Sequence, residues 1–338
     1  MSTDLSRLVD LIDAFSRQTI VVLGDLVADE FVYGEISRVS REAPVLILRH
    51  RDTQMAPGGG ANAANNLVDL GVKVLPVGVV GDDAAGRALV NYFRRKRVDT
   101  SGIICVPGWT TPRKTRYLAG FSHTARQQVL RVDCEPEPGA LPAKVRAALV
   151  KKAREFGRGA SATLVSDYGF GAVSPAAVRA LRGRLVLLDS RFALLNYKDA
   201  GITAATPNEP EIEALHHVRI GTDVQRLETL GARTLRKMKL EALLVTRGKD
   251  GMGLFVRGHK PEHIPVYGTD QALDVTGAGD TVIAVFTLAL AAGGTFTEAA
   301  HLANYAGGIV VMKRGTATVT REELSRAIQA DLAGTPAK

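Results

Sequence analysis

The sequence predicts an α/β protein whose mostly parallel sheet is covered by helices on both faces. Three observations lead there. Short apolar, β-branched runs alternate with helical segments along most of the chain. Glycines, 34 in all, cluster where those runs give way to helices. The 338 residues are 46% hydrophobic and 23% charged, enough apolar material for a large core and too much for a disordered chain.

The elements follow in order. A helix is expected over 4–16 and a buried strand over 20–23, ending at Gly24-Asp25. Residues 31–50 and 113–132 read differently. They hold short alternating stretches such as 45–48 and 114–118, rich in Arg and Ser, and predict a small antiparallel layer inserted in the larger body. Beyond and between them the body alternates: helix 61–70, strand 74–77, helix 84–96, helix 145–156, strand 163–166, helix 175–181, strand 185–188. Helices at 208–216 and 222–238, strand 242–246 and helices near 279–292, 297–312 and 321–331 complete it. In such sheets ligands bind beyond the carboxyl ends of the strands. The turns at Gly24-Asp25, Ser166-Asp167, Asp189, Asn208 and Thr246-Arg247-Gly248 are therefore where chemistry is expected.

Charge and cysteine content exclude several classes. The chain carries 43 Lys and Arg against 35 Asp and Glu, a net +8. The basic residues are scattered, and their tightest run, Arg94 to Arg97, lacks interleaved aromatics, so no nucleic-acid surface is expected. No apolar stretch is long enough to predict a membrane span. Two cysteines, Cys105 and Cys134, give no disulfide framework, and a cytoplasmic location is expected. His216-His217, His123 and Trp109 are read as surface, loop and packing residues rather than ligands.

Two glycine clusters stand out. Asp274-Val-Thr-Gly-Ala-Gly-Asp280 opens an apolar helix. The amides of Gly277, Ala278 and Gly279 suit an anion at a helix start, and Asp280 beside them suits a proton acceptor. The plainer alternative is a glycine turn with Asp280 as a cap. Pro57-Gly-Gly-Gly-Ala-Asn62 opens another helix and lets a polyhydroxylated ligand approach the backbone. Neither GxxxxGK[ST] nor a GxGxxG after the first strand is present.

Together, in this order and more than two hundred residues apart, the two clusters resemble the signatures of the ribokinase-like (PfkB) carbohydrate kinases. Val285 departs from that pattern, which has Ala or Gly there. The resemblance implies a three-layer α/β/α body with a small β-sheet lid, all in one kinase domain over 1–338. It implies Asp280 as catalytic base, with Gly277, Ala278 and Gly279 as the anion hole. ATP would lie against Asn208, Glu209, Pro210, Glu211, Thr246, Arg247, Gly248 and Asn304. Glu211 would hold Mg²⁺ through water, and a monovalent cation is a further candidate. Asp25, Gly59, Gly60 and Asn62 would bind the sugar, and Arg38, Lys114, Arg116 and Arg126 are candidates for an acceptor phosphate. A homodimer through the lid is also implied.

Within the family, Ser37-Arg-Val-Ser-Arg-Glu-Ala-Pro-Val45, Arg126-Gln-Gln-Val-Leu-Arg-Val-Asp133 and Ser166-Asp-Tyr-Gly169 look like the heptose 7-phosphate kinases of ADP-heptose biosynthesis. That subgroup is often fused to a nucleotidylyltransferase, whose HxGH motif has no counterpart here. Phe170 stands where the subgroup has Lys, and Asp189-Ser-Arg191 where it has DPK. Another sugar or sugar-phosphate kinase, or a catalytically silent sensor on the same fold, are the alternatives.

Overall fold

The computed structural model describes residues 4–121, 126–181, 185–191, 194–269 and 271–334. His123 lies outside them. The strands are β1 Thr19–Gly24, β2 Leu26–Val39, β3 Leu46–Gly59, β4 Lys73–Gly81, β5 Ile103–Val106, β6 Arg113–Gly120, β7 Gln127–Cys134, β8 Ala162–Asp167, β9 Leu185–Ser190, β10 Ala204–Ala205, β11 Ala242–Thr246, β12 Met252–Val256 and β13 Glu262–Ile264. The α-helices are α1 Leu5–Asp13, α2 Gly60–Asp69, α3 Ala84–Arg95, α4 Ala143–Gly157, α5 Pro175–Arg179, α6 Glu209–His216, α7 Val224–Met238, α8 Ala278–Ala291, α9 Phe296–Val310 and α10 Arg321–Leu332.

Among these residues the large sheet has nine strands in the order β13-β12-β11-β10-β9-β8-β1-β4-β5, parallel except where β12 pairs with its two neighbours. Strand β1 shows why both faces are covered. Ile20 and Val22 enter one core cluster with Leu67, Phe93, Phe286 and Leu324, while Val21 and Leu23 enter the other with Leu149, Val178 and Leu227. Alternation along a strand sends neighbours to opposite faces, so an all-apolar strand needs helices on both sides. Helix α8 is buried from Asp280 through Ala289, as a helix apolar all round must be.

The second sheet runs β3-β2-β6-β7. Its β2 and β6 are parallel and its other pairs antiparallel, a difference from the antiparallel layer expected. Its strands are also longer than the alternation suggested. Only Asp25 separates β1 from β2, and β3 runs directly into α2. The edge strands β5 and β13, the short β12 beside β13 and the two-residue β10 escaped the sequence reading because they are short. No described helix is long and apolar enough to cross a membrane.

Candidate active site

Three cavities lie in a row at the ends of the large sheet, and one face of the small sheet lines two of them. The central one, about 390 Å³, is lined by Asp280, Gly277 and Gly279 from the start of α8, Asp189, Asn208 and Glu211 from the strand ends, and Asp29, Lys114 and Arg116 from the small sheet. A smaller one of about 170 Å³ shares Thr246, Val275 and Gly279 with it and adds Gly248, Ala278 and Asn304. A larger one of about 690 Å³ shares Lys114, Arg131, Tyr168 and Arg191 with it.

Asp280 sits in the first turn of α8 and is 4% exposed. Asn62 Nδ2 donates to its Oδ2 and the Tyr168 hydroxyl to its Oδ1, both at 2.9 Å. An ionised carboxylate has about four lone-pair positions, so each oxygen keeps room for a proton. Burial pushes its pKa up to about 6, against the two donors that favour the charged form. Behind it, Asn66 Nδ2 donates to Asn62 Oδ1 at 3.3 Å and Thr281 Oγ1 to Asn66 Oδ1 at 3.0 Å. Gly277, the N-cap of α8 with φ +79°, makes no side-chain cap. A Cβ there would come within 2.5 Å of Asn62 Nδ2, so only glycine lets α2 and α8 meet. The first amides of a helix have no intrahelical acceptor, although Ala278 N–H already donates to Val275 O at 3.2 Å.

The expected sugar contacts divide. Gly59 lines the central cavity. Asn62 is fully buried and turned to Asp280, and Gly60 N–H donates to Asp25 O at 3.0 Å. The Asp25 side chain lines none of the three cavities. Its carboxylate accepts three backbone N–H bonds from residues 168–172 instead. Asp29 of β2, a buried carboxylate, does face the central cavity and pairs with Arg116 at 2.7 Å. Burial raises its pKa despite that partner.

The expected cations also divide. Lys114 and Arg116 line the central cavity, and Lys114 Nζ lies 4.8 Å from the Tyr168 ring centroid. Arg38, exposed near the end of β2, and Arg126, stacked 5.4 Å over Tyr33, line none of the cavities. Arg131 and Arg191 do. Pairing across β6 and β7 sets Lys114 opposite Asp133 and Arg116 opposite Arg131, which puts the charged side chains on the face toward the body.

On the other side, Asn208 and Glu211 form a reciprocal capping box on α6 while lining the central cavity. Burial raises the pKa of Glu211. Burial, with the charges of Asp280 and Glu211, raises that of Asp189 well above the usual carboxylate range. Glu209 is committed to Arg247 at 2.6 Å, and Pro210 starts the helix; none of Glu209, Pro210 and Arg247 lines a cavity. Asn304 lines the small cavity and donates to Pro265 O at 2.8 Å. His217 ends α6 in a left-handed conformation, His216 meets Thr234 Oγ1 at 2.8 Å, and Trp109 packs in the core.

Residues 17–124 and 176–323 match the pfkB family carbohydrate kinase. The chain belongs to the PfkB family of carbohydrate kinases. The kinase is thus a phosphotransferase with an alcohol acceptor. It is 39% identical over 311 residues to the bifunctional protein HldE of Geobacter sulfurreducens, covering 90% of this chain and 61% of that protein. With the bifunctional protein HldE of a Caulobacter species it is 40% identical over 318 residues, 92% of this chain and 63% of the relative. The kinase therefore spans less than two thirds of the length of either relative. Its fold matches Arabidopsis thaliana ribokinase complexed with ribose and ATP at TM-score 0.74 and 22% identity, covering 92% of this chain and 99% of that one. Escherichia coli phosphofructokinase-2 in complex with substrates and products matches at 0.74 and 20%, covering 94% and 99%.

Sequence reasoning passed over Asp29, Tyr168 and Arg131 as site residues. Each left a signal: Asp29 is a carboxylate in the apolar run after Gly24, Tyr168 sits in the Ser166-Asp-Tyr-Gly169 motif, and Arg131 is the second arginine of the Arg126–Asp133 motif.

Proposed function

We propose that the kinase transfers the γ-phosphoryl group of ATP to O1 of D-glycero-β-D-manno-heptose 7-phosphate. The observation that carries this reading is the row of cavities, with the buried Asp280 at their junction, Lys249 lining the small cavity and Lys114, Arg131 and Arg191 lining the large one. The small cavity by Gly248 and Asn304 takes the nucleotide base. The large cavity, with Lys114, Arg131 and Arg191 at its seam, takes the phosphorylated end of the acceptor. Arg suits bidentate phosphate contact. The HldE relatives and the sequence motifs of the heptose kinase subgroup point to this acceptor.

Asp280 accepts the O1 proton as the new O–P bond forms and the bond to the nucleotide's leaving oxygen breaks. Asn62 and Tyr168 hold it in place and in its charged form. The amides of Gly277 and Gly279 and the dipole of α8 stabilise the transferring phosphoryl oxygens. Positioning and charge stabilisation dominate this reaction class. No cluster of three metal-ligating side chains occurs among the described residues. Mg²⁺ would therefore rest on nucleotide phosphates and water, with Glu211 and Asp189 as its protein side, where it would neutralise phosphate charge. Their raised pKa values fit carboxylates that gain from a nearby cation.

The small sheet exposes Val39, Val45, Leu46, Leu130 and Val132, an apolar set that a second copy would cover in a homodimer. Sedimentation as a monomer at assay concentration would contradict the dimer.

The acceptor is tested by ADP release against a panel of free and phosphorylated sugars. The reading expects the highest kcat/KM with heptose 7-phosphate and a 1,7-bisphosphate product by ³¹P NMR. A higher kcat/KM with fructose 6-phosphate or an unphosphorylated sugar would overturn it.

A further inference from the structure

Residues 168–172 wrap around a carboxylate that the chain itself supplies. Tyr168 N and Phe170 N donate to Asp25 Oδ2 at 2.9 and 3.0 Å, and Ala172 N donates to Oδ1 at 3.0 Å. The intervening Gly169 and Gly171 have φ of +83° and +96°. Left-handed residues between ordinary ones turn alternate N–H groups to one side and make an anion-binding nest.

The anion is held firmly in turn. Asp25 is 2% exposed, its N–H donates to Ser166 O at 3.0 Å, and its carbonyl accepts from Gly60 N at 3.0 Å. It thus joins the end of β1 to the end of β8 and the start of α2. The loop it anchors carries two parts of the site. The Tyr168 hydroxyl rests on Asp280, and Gly169, Phe170 and Gly171 wall the large cavity.

We propose that Asp25 is a positioning residue: it plugs the nest of residues 168–172, and so fixes the donor on Asp280 and the wall of the acceptor cavity without touching substrate. A filled nest has a consequence for recognition. The glycine loop cannot cradle the acceptor's phosphate, which falls to the side-chain cations Lys114, Arg131 and Arg191.

Hydrogen exchange across 167–173 in the ligand-free protein tests the plug, and steady-state kinetics tests its effect. Only the kinetic arm rests on the proposed reaction; the exchange arm needs no substrate. Asp25→Ala should accelerate exchange there by about tenfold or more, since local opening sets protection. It should lower kcat by about 100-fold, as loss of catalytic alignment does, with nucleotide KM unchanged. Asp25→Asn, which matches the shape but turns an NH₂ toward N–H donors, should do no better than Ala. If Asp25→Ala does not fold, Gly169→Ala strains the same loop, with no atom within 4 Å of the added Cβ, and should lower kcat likewise. Unchanged exchange in Asp25→Ala, full activity in Asp25→Asn, or a raised acceptor KM at unchanged kcat would overturn the proposal. In the Gly169→Ala fallback, unchanged exchange and kcat would do so.

Discussion

The two sheets contribute different kinds of residue to one site. The large sheet is aliphatic, almost wholly parallel and buried on both faces. At its strand ends it presents Asp189, Asn208 and Thr246, and it seats the α2 and α8 helices that hold Asn62 and Asp280. The small sheet is polar, its outer strands are exposed, and it presents Asp29, Lys114, Arg116 and Arg131 on one face. The two sheets thus divide the labour of the site. On the proposed mechanism, a rigid body fixes Asp280 and the phosphoryl group, and a more open layer selects the alcohol. Substitutions in the body should lower kcat, and substitutions in the small sheet should raise acceptor KM.

The largest effect should come from Asp280→Asn, which keeps shape and loses the base. We expect kcat to fall by roughly 10²–10⁴-fold, with both KM values little changed. A fall in binding alone would break the division. Next come Lys114→Ala and Arg131→Ala on the small sheet and Arg191→Ala at the seam. A charge-assisted contact to phosphate contributes about 1.5–3 kcal/mol. Each variant should therefore raise acceptor KM by about 10- to 100-fold with nucleotide KM unmoved. Equal effects on both substrates would blur the comparison.

Tyr168→Phe sharpens it further, because Tyr168 touches both the base and the ring contact with Lys114. Wild-type kcat/KM should rise with pH through about 6, as the raised carboxyl of Asp280 loses its proton. Removing a donor to the charged form raises that pKa. The acid limb of Tyr168→Phe should move to higher pH, and kcat above the limb should fall by about tenfold. An unmoved limb would separate Tyr168 from the base. The smallest effects are expected at Arg38→Ala and Arg126→Ala. Both lie away from the cavities, and surface changes of this kind shift KM within about twofold.

The same division explains what the sequence revealed. The body could be read because its signals are local: Ile20 to Leu23 then Gly24, or Gly277-Ala-Gly-Asp280 before an apolar helix, each fit inside ten residues. The small sheet could be read only as a separate β layer, because its pairing joins β2 to β6 across more than eighty residues and decides which arginine faces inward. Hence Arg126 was favoured over Arg131, five residues on. The family resemblance implied Asn62 and Asp25 as sugar ligands from their place in the motifs. Only the fold shows that Asn62 turns to Asp280 and that Asp25 turns to the amides of residues 168–172. The capping box of Asn208 and Glu211 shows the converse, since one local motif both starts a helix and lines the cavity.

On the proposed mechanism the Asp280 carboxylate removes the acceptor's proton during transfer. Single-turnover transfer from ATP to heptose 7-phosphate, with wild type and Asp280→Asn each at saturating enzyme, tests it most directly. The expected variant is slower by roughly 10²–10⁴-fold at every pH. A variant that transfers at the wild-type rate, with the limb intact, would contradict it.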